Sequence, residues 1–280
     1  MTAVAVLGLG IMGHGIADNF LKNGYAVMVW NRSPEKANDL VSRGAQRAAS
    51  VADAVQCADI VFEVTANDES AHEVWLGEGG IIFNANPNQM LITCATLSVS
   101  CVDELAKKCA EKCLTFFDMP MTGSRAGAEG GTMVLLAGGD EKKINEVKPH
   151  LENIASQVKY FGSAGSGMRM KLVLNCLQAV HLAGFGEAMR LAKALGLDEK
   201  QTGEMLAEKP GGATTQMVWR DYRNHPEPIN FAVELIAKDE TYALQNIDQN
   251  KTPLIASTLA SYQEAIADGH AQDDWTYVAR

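Results

Sequence analysis

Six positions near the amino end constrain this chain more than any other stretch. Ala3 to Leu7 is a short apolar run of strand character. It leads straight into Gly8-Leu9-Gly10-Ile11-Met12-Gly13 and then a helix-forming segment. Strand, glycine turn and helix in that order make the dinucleotide fingerprint in the context it requires. Gly8 permits the tight turn, Gly10 lets a pyrophosphate approach the backbone, and Gly13 lets helix pack on strand, with the helix amino end facing the phosphates. The expected cofactor contacts here are Gly8, Gly10, Ile11, Met12 and Gly13. His14, just inside the helix, reads as an exposed polar position rather than a catalytic group.

The second strand, Ala26 to Trp30, ends in Asn31-Arg32-Ser33-Pro34. An NAD site usually places an acid at this point to hold the ribose hydroxyls, and such an acid would repel the extra phosphate of NADP. Here the acid is absent. Arg32 can grip that phosphate while Asn31 and Ser33 hydrogen-bond to it, so NADP is the expected cofactor. One charged hydrogen bond, worth about 1.5–3 kcal/mol, would supply roughly a tenfold to hundredfold preference over NAD. Arg32 also fits a surface arginine that opens a helix over residues 34–42.

The 280 residues, 47% of them hydrophobic, suffice for two domains or one large one with a sizeable core. A net charge of −10 argues against a nucleic-acid surface. The six cysteines contain no Cys-x-x-Cys pair, and Cys109 and Cys113 stand at helical spacing, so no metal site is expected. With no secretory signal pattern and no uninterrupted apolar run of transmembrane length, the expected location is the cytoplasm, away from membranes.

Apolar runs over residues 59–64, 91–95, 115–118, 133–137 and 158–161 read as strands and residues 98–113 as a helix. The result is an α/β pattern with a doubly wound, mainly parallel sheet ending near Gly162. Between two of these strands lies a stretch of small and hydroxylated residues from Asp118 to Met133. Its exposed N–H groups, with the Thr122 and Ser124 hydroxyls, could cradle a carboxylate, or the stretch is a flexible loop. Arg125 points toward an anion or toward water. Gly162 to Gly165 is the hinge into a proline-free helix over 166–194, about 43 Å long at 1.5 Å per residue. Lys171, Asn175, Gln178 and Leu182 share one face of it, beside an apolar stripe of Leu172, Cys176, Ala179, Ala183 and Gly186. A lysine in a partly dry site can work as an acid or base, with Asn175 holding it in place. The same polar residues also fit the solvated face of an amphipathic helix. Beyond Gly196 the chain is helical with proline-marked breaks. Lys238-Asp239 there fits an ordinary charged helix face, and Trp219 and Trp275 fit a core or a subunit contact.

Taken in order, Gly8-Leu-Gly-x-Met12-Gly13, Asp118-x-Pro120-x-Thr122-Gly123, Gly167-x-x-x-Lys171-x-x-x-Asn175 and Lys238-Asp239 resemble the β-hydroxyacid dehydrogenase family over essentially the whole chain. That family includes 3-hydroxyisobutyrate dehydrogenases and glyoxylate/succinic semialdehyde reductases. The resemblance implies an NADP-binding Rossmann domain over residues 1–162, an interdomain helix over 163–195, and an all-helical substrate and oligomerisation domain over 196–280. It makes Lys171 the catalytic acid/base, Asn175 its neighbour on substrate, and Thr122, Gly123 and Ser124 a carboxylate clamp. Phe231 becomes a pocket wall, and Lys238 and Thr96 become cofactor contacts. Two departures bear on substrate identity. The family commonly has Ser-Gly-Gly where this chain has Thr122-Gly123-Ser124, and an acid before the Ser-Thr strand end where this chain has Thr93-Cys94-Ala95-Thr96.

The activity these readings imply is NADPH-dependent reduction of a small aldehyde acid, with Lys171 as proton donor, by a homo-oligomer of two or four chains. Oxidation of 3-hydroxyisobutyrate is the nearest alternative. An imine reductase fits less well, because relatives of that type tend to replace the lysine. A non-enzymatic dinucleotide sensor or scaffold is the alternative of another class, and the presence of Lys171 with Asn175 speaks against it.

Overall fold

The structure is a computed structural model and describes residues 2–280. The chain divides into two compact units, the first ending at Lys171 and the second beginning at Leu172.

The first unit is built on nine strands: β1 (Ala3–Leu7), β2 (Ala26–Trp30), β3 (Gln46–Arg47), β4 (Ile60–Glu63), β5 (Met90–Thr93), β6 (Thr115–Asp118), β7 (Met121–Thr122), β8 (Met133–Gly138) and β9 (Ala155–Gly162). They form one sheet in the order β3-β2-β1-β4-β5-β6-β8-β7, with β9 on β8. Every pairing is parallel except those of β8 with β6 and β7. Around the sheet run α1 (Ile11–Lys22), α2 (Asn38–Ser42), α3 (Val51–Gln56), α4 (Asp68–Leu76), α5 (Ile81–Asn84), α6 (Val99–Glu111), α7 (Ser124–Gly130) and α8 (Glu141–Leu151). Side chains alternate across each strand, so each face has its own core. Val4, Val6, Val29, Phe62 and Phe117 meet Ile16, Ala17 and Phe20 of α1 on one face. Ala5, Leu7, Val61 and Leu91 meet Trp75, Val102 and Leu105 on the other.

The expected strands are all present, with ends shifted by up to three residues. Two segments differ from expectation. Residues 34–42 split into a 3-10 turn over Pro34–Ala37 followed by the short α2. The stretch read as a possible flexible loop contains β7 and α7. Its small residues serve packing: a Cβ on Gly15 of α1 would stand 2.7 Å from the Ala128 carbonyl of α7. Asn19 also donates from Nδ2 to that carbonyl at 2.7 Å. Two helices that approach this closely need small side chains at the contact.

The long helix α9 (Ser166–Ala194) has the expected bounds and contributes its first residues to the first unit and the rest to the second. By length and composition it could reach across a bilayer, and 44% of its apolar window is buried within the chain. In the second unit Ala179, Leu182, Phe185 and Met189 of α9 pack with residues of α10 (Glu199–Leu206), α11 (Ala213–Arg223), α12 (Val233–Leu244) and α13 (Pro253–Ala267) or of the segments flanking them. Trp219 and Trp275 both lie in this core.

Candidate active site

The glycine turn has the shape its sequence requires. Gly8 sits at φ +103°, where a Cβ would stand 2.5 Å from the Val64 carbonyl, and a Cβ on Gly13 would collide with the Gly8 carbonyl. Gly10 faces open space, with nothing within 4 Å of its Cβ position. It is the N-cap of α1, provides no side-chain cap, and no acid occupies the first turn. The donors of that helix end are therefore left for an anion, which fits the pyrophosphate of a dinucleotide. Ile11 and Met12 begin the helix, half-buried.

Asn31 braces the turn. Leu9 N–H donates to Asn31 Oδ1 at 2.8 Å, and Asn31 Nδ2 donates to the Ser33 carbonyl at 3.0 Å. Arg32 is exposed and lines a small cleft with Ala66, Asn67, Glu69, Ser70 and Glu73. His14 bonds to Asp39 at 3.1 Å across the outside of the same helix.

The ends of β4 and β5 carry a buried carboxylate that the sequence did not single out. Glu63, fully buried, accepts from Thr65 N–H at 2.6 Å, from Trp75 Nε1 at 3.2 Å and from Thr93 Oγ1 at 2.6 Å. Glu63 and Thr93 are register partners. A carboxylate therefore lies beside Thr93, the first residue of the Thr93-Cys94-Ala95-Thr96 departure, on the neighbouring strand. Thr96 follows, half-buried, and the next residue, Leu97, donates its N–H to Met168 Sδ at 3.2 Å.

Asp118 closes β6, with Oδ1 accepting from Gly165 N–H and Oδ2 from Met168 N–H, each at 2.6 Å. Burial pushes its pKa up to about 6, against the pull of those two bonds and of Arg169. Thr122 is half-buried in β7, while Gly123 (φ +133°) and Ser124 (φ +54°) are exposed where α7 begins. Arg125 lies 3.5 Å from Glu129 one turn on.

Lys171 and Asn175 are 9% and 2% exposed, so they do not form a solvated face. Asn175 donates from Nδ2 to Asp239 Oδ2 at 2.6 Å, and Lys238 Nζ lies 3.1 Å from Asp239 Oδ1. Asp239, read from the sequence as part of a charged face, is fully buried and joins an amide of α9 to an ammonium of α12. Phe231 is half-buried, edge-on to Trp275 with centroids 5.6 Å apart.

A profile described as the NAD-binding domain of 6-phosphogluconate dehydrogenase matches residues 3–162. A second, described as NAD-binding of NADP-dependent 3-hydroxyisobutyrate dehydrogenase, matches residues 165–280. The chain belongs to the β-hydroxyacid dehydrogenase family. Among similar members of that family, an NAD-dependent L-serine dehydrogenase of Pseudomonas aeruginosa is 29% identical over 100% of this chain and 97% of its own length. A chloroplastic glyoxylate/succinic semialdehyde reductase 2 of Arabidopsis thaliana is 29% identical over 99% of this chain and 78% of its own. The structure of Mycobacterium tuberculosis 3-hydroxyisobutyrate dehydrogenase with L-serine superposes with a TM-score of 0.88, at 25% identity, over 100% of this chain and 98% of that one. This β-hydroxyacid dehydrogenase family member is accordingly an oxidoreductase that uses a nicotinamide dinucleotide.

Proposed function

We propose that the protein is an NADPH-dependent reductase of small aldehyde acids of the glyoxylate and succinic semialdehyde class. The observation that carries this reading is the placement of Lys171 and Asn175, one turn apart on α9, both buried, with Asn175 held by Asp239. A buried amine beside a fixed amide is suited to giving a proton to a carbonyl oxygen as the alkoxide forms. The turn from Gly8 to Gly13 would hold the dinucleotide, and the reduced nicotinamide, when bound, supplies the hydride. Thr122, Gly123 and Ser124 clamp the substrate carboxylate. Phe231 as pocket wall, and Thr96 and Lys238 as cofactor contacts, rest on the family resemblance.

The preference for NADPH rests on Arg32. Because Asn31 is engaged in the glycine turn, Arg32 and Ser33 are left to meet a 2′-phosphate, in a cleft that Glu69 and Glu73 also line and whose carboxylates would repel it. A homo-oligomer is supported by the exposed apolar side chains Val173, Leu177 and Leu191 on α9 and Leu195 just beyond its end.

Oxidation of a 3-hydroxy acid, 3-hydroxyisobutyrate or L-serine, is the second reading, favoured by the activities that the relatives' names carry. A substrate panel decides between them: glyoxylate and succinic semialdehyde with NADPH and NADH, and the two hydroxy acids with NADP and NAD, followed at 340 nm. Faster turnover of an aldehyde acid with NADPH is expected. Turnover of the hydroxy acids alone transfers the assignment to the second reading, and no turnover across the panel favours a dinucleotide sensor.

A further inference from the structure

The first turn of α9 is anchored from another part of the fold. It has no acidic residue of its own, yet its donors Gly165 N–H and Met168 N–H both point at the Asp118 carboxylate, 2.6 Å from its two oxygens. Glycines make room for that carboxylate. A Cβ on Gly138, the register partner of Asp118, would collide with Asp118 Oδ1, and a Cβ on Gly167 would collide with the Leu136 carbonyl. The helix start therefore sits directly on the ends of β6 and β8.

Besides the packing of Met168 in the apolar core, two other polar contacts reach the same turn, and both rank below the Asp118 bonds. Arg169 meets Asp103 of α6 at 3.0 and 2.8 Å, but both side chains are about half exposed, and water and salt screen such pairs until they contribute little. The Leu97 N–H bond ends on a thioether sulfur, a weak acceptor. The Asp118 bonds are short, charge-assisted and out of solvent. Lys171 follows Met168 by three residues, so the orientation of this turn fixes the direction in which the Lys171 amine leaves the helix.

We infer that Asp118 is a positioning residue: through Gly165 and Met168 it sets the first turn of α9 and so the placement of the Lys171 amine. This rests on the reading of Lys171 as proton donor. An asparagine offers one acceptor oxygen and an NH2 group, so one of the two backbone donors would face another donor. A displacement of about 1 Å at a reacting group can cost roughly a hundredfold in rate.

The test compares Asp118→Asn, Asp118→Glu and Lys171→Ala with wild type, using the best aldehyde acid of the panel and saturating NADPH. Asp118→Asn is expected to lower kcat about tenfold to a hundredfold, with KM and the NADPH Kd within about threefold of wild type. A substrate-free measurement runs beside it: competitive acetylation of Lys171 in the NADPH-bound protein, read by mass spectrometry against Lys143 of α8 as reference. Labelling of Lys171 relative to Lys143 should change at least about fivefold in Asp118→Asn. Wild-type kcat with wild-type labelling overturns the inference, as does a rise in KM that accounts for the whole loss. Loss of folding or of NADPH binding in both Asp118 variants also overturns it, since a positioning role leaves the cofactor site intact. Full turnover by Lys171→Ala refutes the proton-donor reading separately, and the labelling comparison then judges Asp118 by itself.

Discussion

Asn175 gives its Nδ2 hydrogen to Asp239 Oδ2 across 2.6 Å, with both side chains out of solvent. The other oxygen of Asp239 faces the Lys238 ammonium at 3.1 Å. A buried carboxylate is tolerated when it is paired and hydrogen-bonded, and removing one partner leaves the others exposed to an apolar interior.

Asp239→Ala should therefore cost about 3 kcal/mol of unfolding free energy, measured by urea denaturation. Asn175→Ala made in that background should cost less than it does alone, giving a coupling of about 1 kcal/mol or more. Strict additivity would mean that the two side chains do not act on each other.

Arg32→Ala should weaken NADPH binding about tenfold to a hundredfold and leave NADH within about threefold, since the charged hydrogen bond it removes is worth about 1.5–3 kcal/mol. Titration of each reduced cofactor by protein-fluorescence energy transfer measures both. Equal losses for the two would show that Arg32 does not meet the 2′-phosphate.

Glu240 on α12 gives a pH prediction of definite sign. Among the described residues neither buried carboxyl oxygen has a hydrogen-bond partner, and burial, assisted by the Asp239 charge, raises its pKa from 4.5 to about 8. The folded state favours the protonated acid. Stability from this group is therefore complete below about pH 4.5 and is lost as pH climbs through about 8, at up to about 1.4 kcal/mol per pH unit in between. Glu240→Gln stays neutral, so its Tm should exceed that of wild type at pH 8.5 by more than at pH 5. Parallel Tm curves would contradict this.

The parts of the fold written in local sequence were legible. The strand, glycine turn and helix at the amino end, β2, and the 29 residues of α9 follow from glycine placement, apolar runs and uninterrupted helix propensity. What escaped depends on contacts distant in sequence. The region of α7 looks like a loop because glycine and alanine dominate it, whereas in the fold those small residues pack closely on α1 and on Met133. Glu63 was invisible as the partner of Thr93, 30 residues away, because the pairing is set by the register of β4 on β5. Asp118 stood in a recognised motif, but its function as the cap of α9 depends on a donor 50 residues later. Asp239 looked like half of an exposed charged pair, and its burial with a bond from Asn175, 64 residues earlier, depends on how α12 packs in the folded chain.

The measurement closest to the central claim is the turnover of Lys171→Ala with an aldehyde acid and NADPH, together with its NADPH affinity. If Lys171 delivers the proton, kcat falls by about 10²–10⁴ while NADPH binds as in wild type. Near-normal turnover with intact cofactor binding would contradict the proposed chemistry outright.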